Sequence, residues 1–164
     1  MPEPLLHRPS LADTTVLNNF AQTRRTDLLR SAFPDFSTPI PAWDELELGV
    51  SRGLVPACDW SWLKIIALTE RENARAEEIG RALGPGEAAC IAAAVSRGFL
   101  MLSDDWDARA LGRSLGVEVS GSLGVLDRLV LKQVLSLEEA DALLAEMVRR
   151  GFRSPYQSLR EIPR

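Results

Sequence analysis

Apolar positions along this chain fall into two alternating rhythms. Short apolar runs at Ser10 to Asp13, Phe36 to Pro41, Trp62 to Leu68, Phe99 to Leu102 and Val117 to Val119 predict strands. The Trp62 to Leu68 run is apolar enough to predict a buried strand. Longer segments with helical spacing stand between these runs. Leu17, Phe20, Ala21, Leu28 and Leu29 predict one helix over Thr15 to Arg30. Ala42 to Arg52 predicts another, ended by Gly53. Arg71 to Leu83 is charged with an apolar stripe, and Gly84-Pro85-Gly86 breaks the chain after it. Glu87 to Arg97 predicts a small-residue helix closed by Gly98, and Asp105 to Leu115 a helix closed by Gly116. Two or three helices follow Val119. The last has capping-box spacing at Ser136 and Glu139, runs to Arg150 and stops at Gly151. Strand and helix in alternation predict an α/β fold with a central parallel sheet and helices on both faces. In such sheets functional groups lie at the carboxyl ends of the strands.

With 164 residues the chain is sized for one domain. The expected division is a proline-rich tail over 1–10 and a single domain over 11–164, with a core at 11–119 and a helical extension at 120–164. A hydrophobic fraction of 46% with 26% charged residues excludes a disordered chain or a collagen. The net charge of −4 excludes a generally basic surface but not a local basic groove. There is one histidine, His7, so an HExxH zinc site is excluded. A Ser-His-Asp triad would have to draw on that same N-terminal residue. Cys58 and Cys90 are far apart and match no zinc spacing, which fits a reducing cytoplasm. No signal peptide is expected from the first residues, and no apolar run reaches the roughly 18 residues of a membrane span.

What remains is carboxylate chemistry. Asp13 stands at the end of the first predicted strand, and Asp104 and Asp105 follow the strand ending at Leu102. Glu87 opens the small-residue helix, and Glu45 lies on the helix after the second strand. Each acid also has an ordinary structural reading. Asp13 and one of Asp104 and Asp105 suit helix N-caps, Glu87 suits a helix first turn, and Glu45 sits in an acidic run, Asp44 to Glu47, typical of a solvated face. Gathered together, they suit Mg²⁺ or Mn²⁺, hard cations that take oxygen ligands and need neither histidine nor cysteine.

In order, these blocks resemble the PIN domain, a metal-dependent ribonuclease family. The stretch from Ala12 to Gln22 resembles its opening Asp-Thr/Ser-x-Leu block and places the first acid at Asp13. The stretch from Thr38 to Gly49 resembles the second block, placing Glu45, with Asp44 and Glu47 as alternative matches. Leu83 to Gly98 resembles a Gly-Glu block with Glu87 as its acid. Phe99 to Gly116 resembles the last block, Asp-Asp-x-x-Ala-Arg, with Asp104, Asp105 and Asp107. Gly121 to Leu126 is similar to a Gly-Ser/Thr-Leu-Gly-Val-Leu segment of one PIN-like subgroup. Two features depart from the common pattern. The strand before Asp13 is short, and Glu87 stands where toxin-type members have Asp.

The resemblance implies a three-layer α/β/α fold with extra C-terminal helices and a ribonuclease of the toxin type. Asp13, Glu45, Glu87 and Asp105 are then catalytic. Asp13, Glu87, Asp104 and Asp105 hold Mg²⁺ or Mn²⁺, and Thr14, Ser103, Asp107 and Arg109 support the acids or the substrate. RNA, an antitoxin protein and a second copy of the chain are the implied partners. Arg109, one turn beyond Asp105, is expected to pair with it. Arg24, Arg25, Arg113, Arg149, Arg150 and Arg153 are further cations for RNA, although Arg149 and Arg150 equally suit a helix C-terminus. Trp106 is the aromatic best placed to stack on a base, whereas Trp62 belongs to an apolar run and is expected in the core. The helix from Leu137 to Val148 is expected to close the domain's own core. Two other readings stand beside this one. One is a PIN-like binding module without catalysis. The other is a phosphoacceptor domain, for which Lys64 and Lys132 are poorly placed.

Overall fold

The computed structural model describes residues 8–163, so His7 lies outside the described residues. Five parallel strands form the sheet: β1 (Ser10–Ala12), β2 (Phe36–Pro39), β3 (Lys64–Ile66), β4 (Leu100–Leu102) and β5 (Val119–Ser120). Their order is β3-β2-β1-β4-β5, with Leu11 opposite Ser37 on one side and Met101 on the other. Residues 8–10 already belong to this fold. Ser10 opens β1, the Pro9 carbonyl accepts the Leu100 N–H at 3.0 Å, and the Arg8 guanidinium pairs with Glu118.

Side chains alternate along the central strands, and this splits the interior into two cores. Ala12 and Leu102 face α1 (Thr14–Gln22), α2 (Asp27–Ala32), α7 (Ser122–Leu131) and α8 (Leu137–Arg149). Leu11 and Met101 face the other layer, α4 (Glu70–Ile79), α5 (Pro85–Arg97), α6 (Trp106–Ser114) and Ala42 of α3 (Ile40–Ser51), a helix that straddles the sheet edge and sends Trp43 and Leu46 into the first core. Helix α5 lies against the sheet because Ala88, Ala89, Cys90, Ala92, Ala93 and Ala94 keep its buried face thin. The expected three-layer α/β/α fold with a parallel sheet is present. Helix α8 closes the first core through Ala140, Leu144 and Met147, as its amphipathic pattern predicts.

Two expectations need correction. Thr15 to Arg30 is two helices, not one. Thr23 ends α1, Arg24 takes a left-handed conformation (φ 56°), and the Arg25 N–H returns to the Phe20 carbonyl at 3.1 Å while the Arg24 N–H returns to Ala21 at 2.9 Å. This is a Schellman closure, usually marked by glycine. The apolar run Trp62 to Leu68 is not a buried strand. It forms the edge strand β3, where Lys64 and Ile65 are exposed, Ile65 by 43%. It is hydrogen-bonded on one side only, to β2; Trp62 and Leu63 pack on the first core before the strand begins, and Ile66 and Leu68 pack against the second. Trp62 lies 5.7 Å from Phe36, ring centre to ring centre.

Candidate active site

The chain moves outward from β1 to β3 and then returns to place β4 beside β1, so the order reverses between these two strands. Parallel strands put all their carboxyl ends on one edge, and the reversal opens a crevice there. Asp13 leaves β1 at that edge, and Ser103, Asp104 and Asp105 leave β4 beside it. The Asp13 N–H donates to the Leu102 carbonyl at 3.1 Å, which fixes the two exits together.

Asp13 is 1% exposed and caps α1, accepting the Thr15 N–H at 3.0 Å. It also accepts the hydroxyls of Thr15 and Ser103. Those hydroxyls in turn accept backbone amides from the β4–α6 turn. The Asp104 N–H reaches Thr15 Oγ1 at 2.8 Å, and the Asp105 N–H reaches Ser103 Oγ at 3.2 Å. An amide proton on each hydroxyl's lone pair leaves the hydroxyl's own proton for Asp13. Two such bridges therefore tie the first acid to the last. The Asp13 carboxyl is raised to about 7: burial raises it most, the Ser103 and Thr15 hydrogen bonds lower it, and the charges of Asp104 and Glu87 raise it.

Glu45 is the acid of its run that turns toward this edge, while Asp44 and Glu47 are exposed. Its Oε1 accepts the Gly86 N–H at 2.9 Å, across from α3 to the first turn of α5. The Thr14 hydroxyl lies 3.0 Å from Glu45 Oε2 and 2.9 Å from the Ala42 carbonyl, and its single proton serves one of them at a time. Gly86 permits the contact, since a Cβ there would lie 2.7 to 2.9 Å from the Glu45 carboxylate atoms. Glu87 folds back on the Gly84 N–H at 2.9 Å, and its carboxyl is raised by burial and by the charges of Asp105 and Glu45. The first turn of α5 thus offers free amides and positive dipole to two acids. Cys90, fully buried on the same helix, feels all three of Asp13, Glu45 and Glu87; burial, with their charges, holds its thiol protonated.

Asp105 caps α6 through the Ala108 N–H at 2.8 Å. Asp104 instead has both oxygens engaged by α1 and α7, through Asn19 Nδ2, the Ser122 N–H and the Ser122 hydroxyl. Arg109 does not pair with Asp105. Its Nη1 donates to the Ser103 carbonyl at 2.7 Å, because the α6 turn aims it back across β4 toward Asp104 and Asp13. Asp107 is exposed in the first turn of α6, with no partner among the described residues. Trp106 beside it is 82% exposed. Among the other cations, Arg149 and Arg150 both pair with Glu146, and Arg25 pairs with Asp27. Arg113 is exposed on α6.

Four residues of this arrangement were not singled out by sequence for a role at the site. Thr15 lies two residues past Asp13, where a capping aspartate's side chain meets the chain. Asn19 is one helical turn further along α1, a buried amide among apolar neighbours. Gly86 was hidden behind its neighbour Glu87, and Ser122 lay inside the Gly121 to Leu126 segment without an assigned role.

Comparison with known proteins adds one match. No curated protein matches the chain. A family model described as a PIN domain matches residues 10–164, which runs from the first strand through the C-terminal helices. The chain therefore belongs to the PIN-domain family.

Proposed function

We infer that this protein is an endoribonuclease that uses Mg²⁺ or Mn²⁺ held by Asp13, Glu45, Glu87 and Asp105. PIN domains are typically nucleases and generally depend on divalent metal ions. The observation that carries the reading is the convergence of these acids from four separate segments on the strand ends where the sheet order reverses, around a buried Asp13.

The donor set suits a hard divalent cation, because it is all carboxylate oxygen. Asp13 and Glu87 are both raised in part by neighbouring acids, a repulsion that a bound cation would relieve. Among the described residues, no three such side chains are already gathered as a metal cluster. When bound, the ion supplies an activated water and offsets charge on the phosphodiester. The chain's own residues do the rest. Thr15 and Ser103 hold the Asp13 carboxylate, and the Gly86 amide aims Glu45. Trp106 offers an exposed ring next to Asp105 for a base, and Arg113 an exposed cation for a phosphate. The reading also carries an inhibitory partner protein, since an unrestrained ribonuclease damages its own cell. A homodimer and a cytoplasmic location belong to it too.

The test is Mn²⁺-dependent cleavage of a mixed pool of structured and unstructured RNA. The native chain should cut, and a chain carrying Asp13→Asn with Asp105→Asn should not. Equal cleavage by both would place the activity elsewhere. If neither cuts and calorimetry detects no Mn²⁺ binding, the enzyme reading fails and a PIN-like binding module becomes the better account.

A further inference from the structure

Asp104, like Asp13, has both oxygens hydrogen-bonded, and its donors tie α7 to the site. Its Oδ1 accepts the Ser122 N–H at 2.8 Å, and its Oδ2 accepts Asn19 Nδ2 at 2.8 Å together with the Ser122 hydroxyl. Asn19 Nδ2 also lies 3.3 Å from Ser122 Oγ, so the three side chains close into one group, with Asn19 and Ser122 buried and Asp104 half-buried. Asp105 by contrast accepts the Ala108 amide and Glu87 the Gly84 amide, which leaves most of their lone pairs free.

The donors to Asp104 come from two helices, α1 and α7, and its backbone N–H feeds the Thr15 hydroxyl that holds Asp13. Chain packing around it is just as close. A Cβ on Gly121, which precedes α7, would lie 2.5 Å from Asp104 Oδ1, 2.8 Å from Arg109 Nη1 and 2.9 Å from the Ser103 carbonyl. Only a residue without a side chain lets α7 dock there. The C-terminal helices are therefore joined to the turn that carries Ser103 and Asp105 through one carboxylate.

We propose that Asp104 is a positioning residue and not a metal ligand: it fastens α1 and the start of α7 to the β4–α6 turn, so that Asp13 and Asp105 keep the separation a divalent cation requires. The cation half of this rests on the ribonuclease reading above. The clamp itself does not. Hydrogen-bond geometry, rather than the position of the negative charge, is what Asp104 contributes, and exchanging it with its partner separates the two.

The experiment compares the native chain with Asp104→Asn, Asn19→Asp and the double exchange Asn19→Asp with Asp104→Asn. Mn²⁺ affinity is measured by calorimetry, and clamp integrity by hydrogen exchange at the Ser122 amide. In Asp104→Asn the new NH2 meets a donor whichever way the amide turns, either Asn19 Nδ2 or the Ser122 N–H, and in Asn19→Asp two carboxylates meet. Each single change should weaken Mn²⁺ binding about tenfold and speed Ser122 exchange. The double exchange restores a donor facing an acceptor and should return both readouts to within about threefold of native. A double exchange that recovers Ser122 protection but not Mn²⁺ affinity would show Asp104 to be a ligand and overturn the proposal. Single variants that speed exchange but leave Mn²⁺ affinity unchanged would overturn it too. Should the exchanged chain not fold, Asn19→Ala removes one donor and no carboxylate. Weakened Mn²⁺ binding is then expected, and unchanged binding refutes the clamp's role. A native chain that binds no Mn²⁺ sinks the ribonuclease reading and the positioning role together, a result visible before any variant is made.

Discussion

A carboxyl group buried as deeply as Asp13 keeps its proton unless donors replace water. Thr15 and Ser103 replace part of that water, yet the group remains at about 7 against 3.8 in a free chain. A raised folded value stabilises the fold fully below about 3.8, and that contribution is lost as pH rises through about 7. The shift is worth at most about 4 kcal/mol. Metal-free protein should therefore lose stability from about pH 4 to about pH 8 through Asp13, and Asp13→Asn should remove that loss. Calorimetric melting in a chelator would show the variant gaining on the native chain as pH rises. Parallel profiles would show that Asp13 does not titrate in this range. Gly86 makes a second prediction at this scale. Gly86→Ala puts a methyl group against the Glu45 carboxylate, so it should weaken Mn²⁺ binding about tenfold while melting stays near native. Unchanged binding would place Glu45 outside the metal site. Sequence pointed to Asp13 and Glu45 because acids at strand ends are visible as letters. Gly86 was not visible as a site residue, because what it contributes is the absence of a side chain.

Between elements, a buried carboxylate on α4 is held by an arginine on α5. Glu72 is 2% exposed and accepts Arg97 Nη2 at 2.8 Å and Nε at 2.9 Å, while closing the capping box of α4 through the Thr69 N–H. Arg97 beside it, aided by Thr69, holds the Glu72 carboxyl down to about 2 from 4.5. A depressed value stabilises the fold above about 4.5 and ceases to do so as pH falls through about 2. Arg97→Met leaves the buried carboxylate unpaired and should cost roughly 3 kcal/mol in urea unfolding at neutral pH. The cost should shrink at about pH 3, and a cost independent of pH would mean the lost packing of Arg97 dominates. Elements themselves were legible where local chemistry marked their ends. The Ser136 and Glu139 box is present, and Gly98 ends α5 in a left-handed conformation (φ 68°). The break between α1 and α2 was not legible, because Arg24 takes the left-handed position that glycine usually announces. The edge position of β3 was not legible either, since strand order is set by packing among distant segments and an apolar run looks alike in the centre or at the edge.

For the whole molecule, the division into a core at 11–119 and an extension at 120–164 follows the acid motifs, whereas the packing follows the sheet. Val125, Leu126, Leu129, Ala140, Leu144, Met147 and Leu159 are buried together with Val16, Leu17, Phe20, Leu28 and Leu29. The C-terminal helices share one face of the sheet with α1 and α2, and the PIN-domain match continues to residue 164. Without them the first core would open to water along Ala12 and Leu102, directly beneath Asp13 and Ser103. Burying a large aliphatic side chain contributes about 1.5–3 kcal/mol, and a domain of this size holds only about 5–15 kcal/mol in total. Losing half a dozen such contacts, about 9–18 kcal/mol, is a loss as large as that margin. A chain ending at Gly121, which retains Asp13, Glu45, Glu87, Asp104 and Asp105, should therefore show no cooperative melting transition, should bind a hydrophobic dye and should lose Mn²⁺ binding. A cooperative transition near the native temperature would mean that the acids and the other face of the sheet form a self-sufficient unit. The clamp at Asp104 would then be dispensable for holding them.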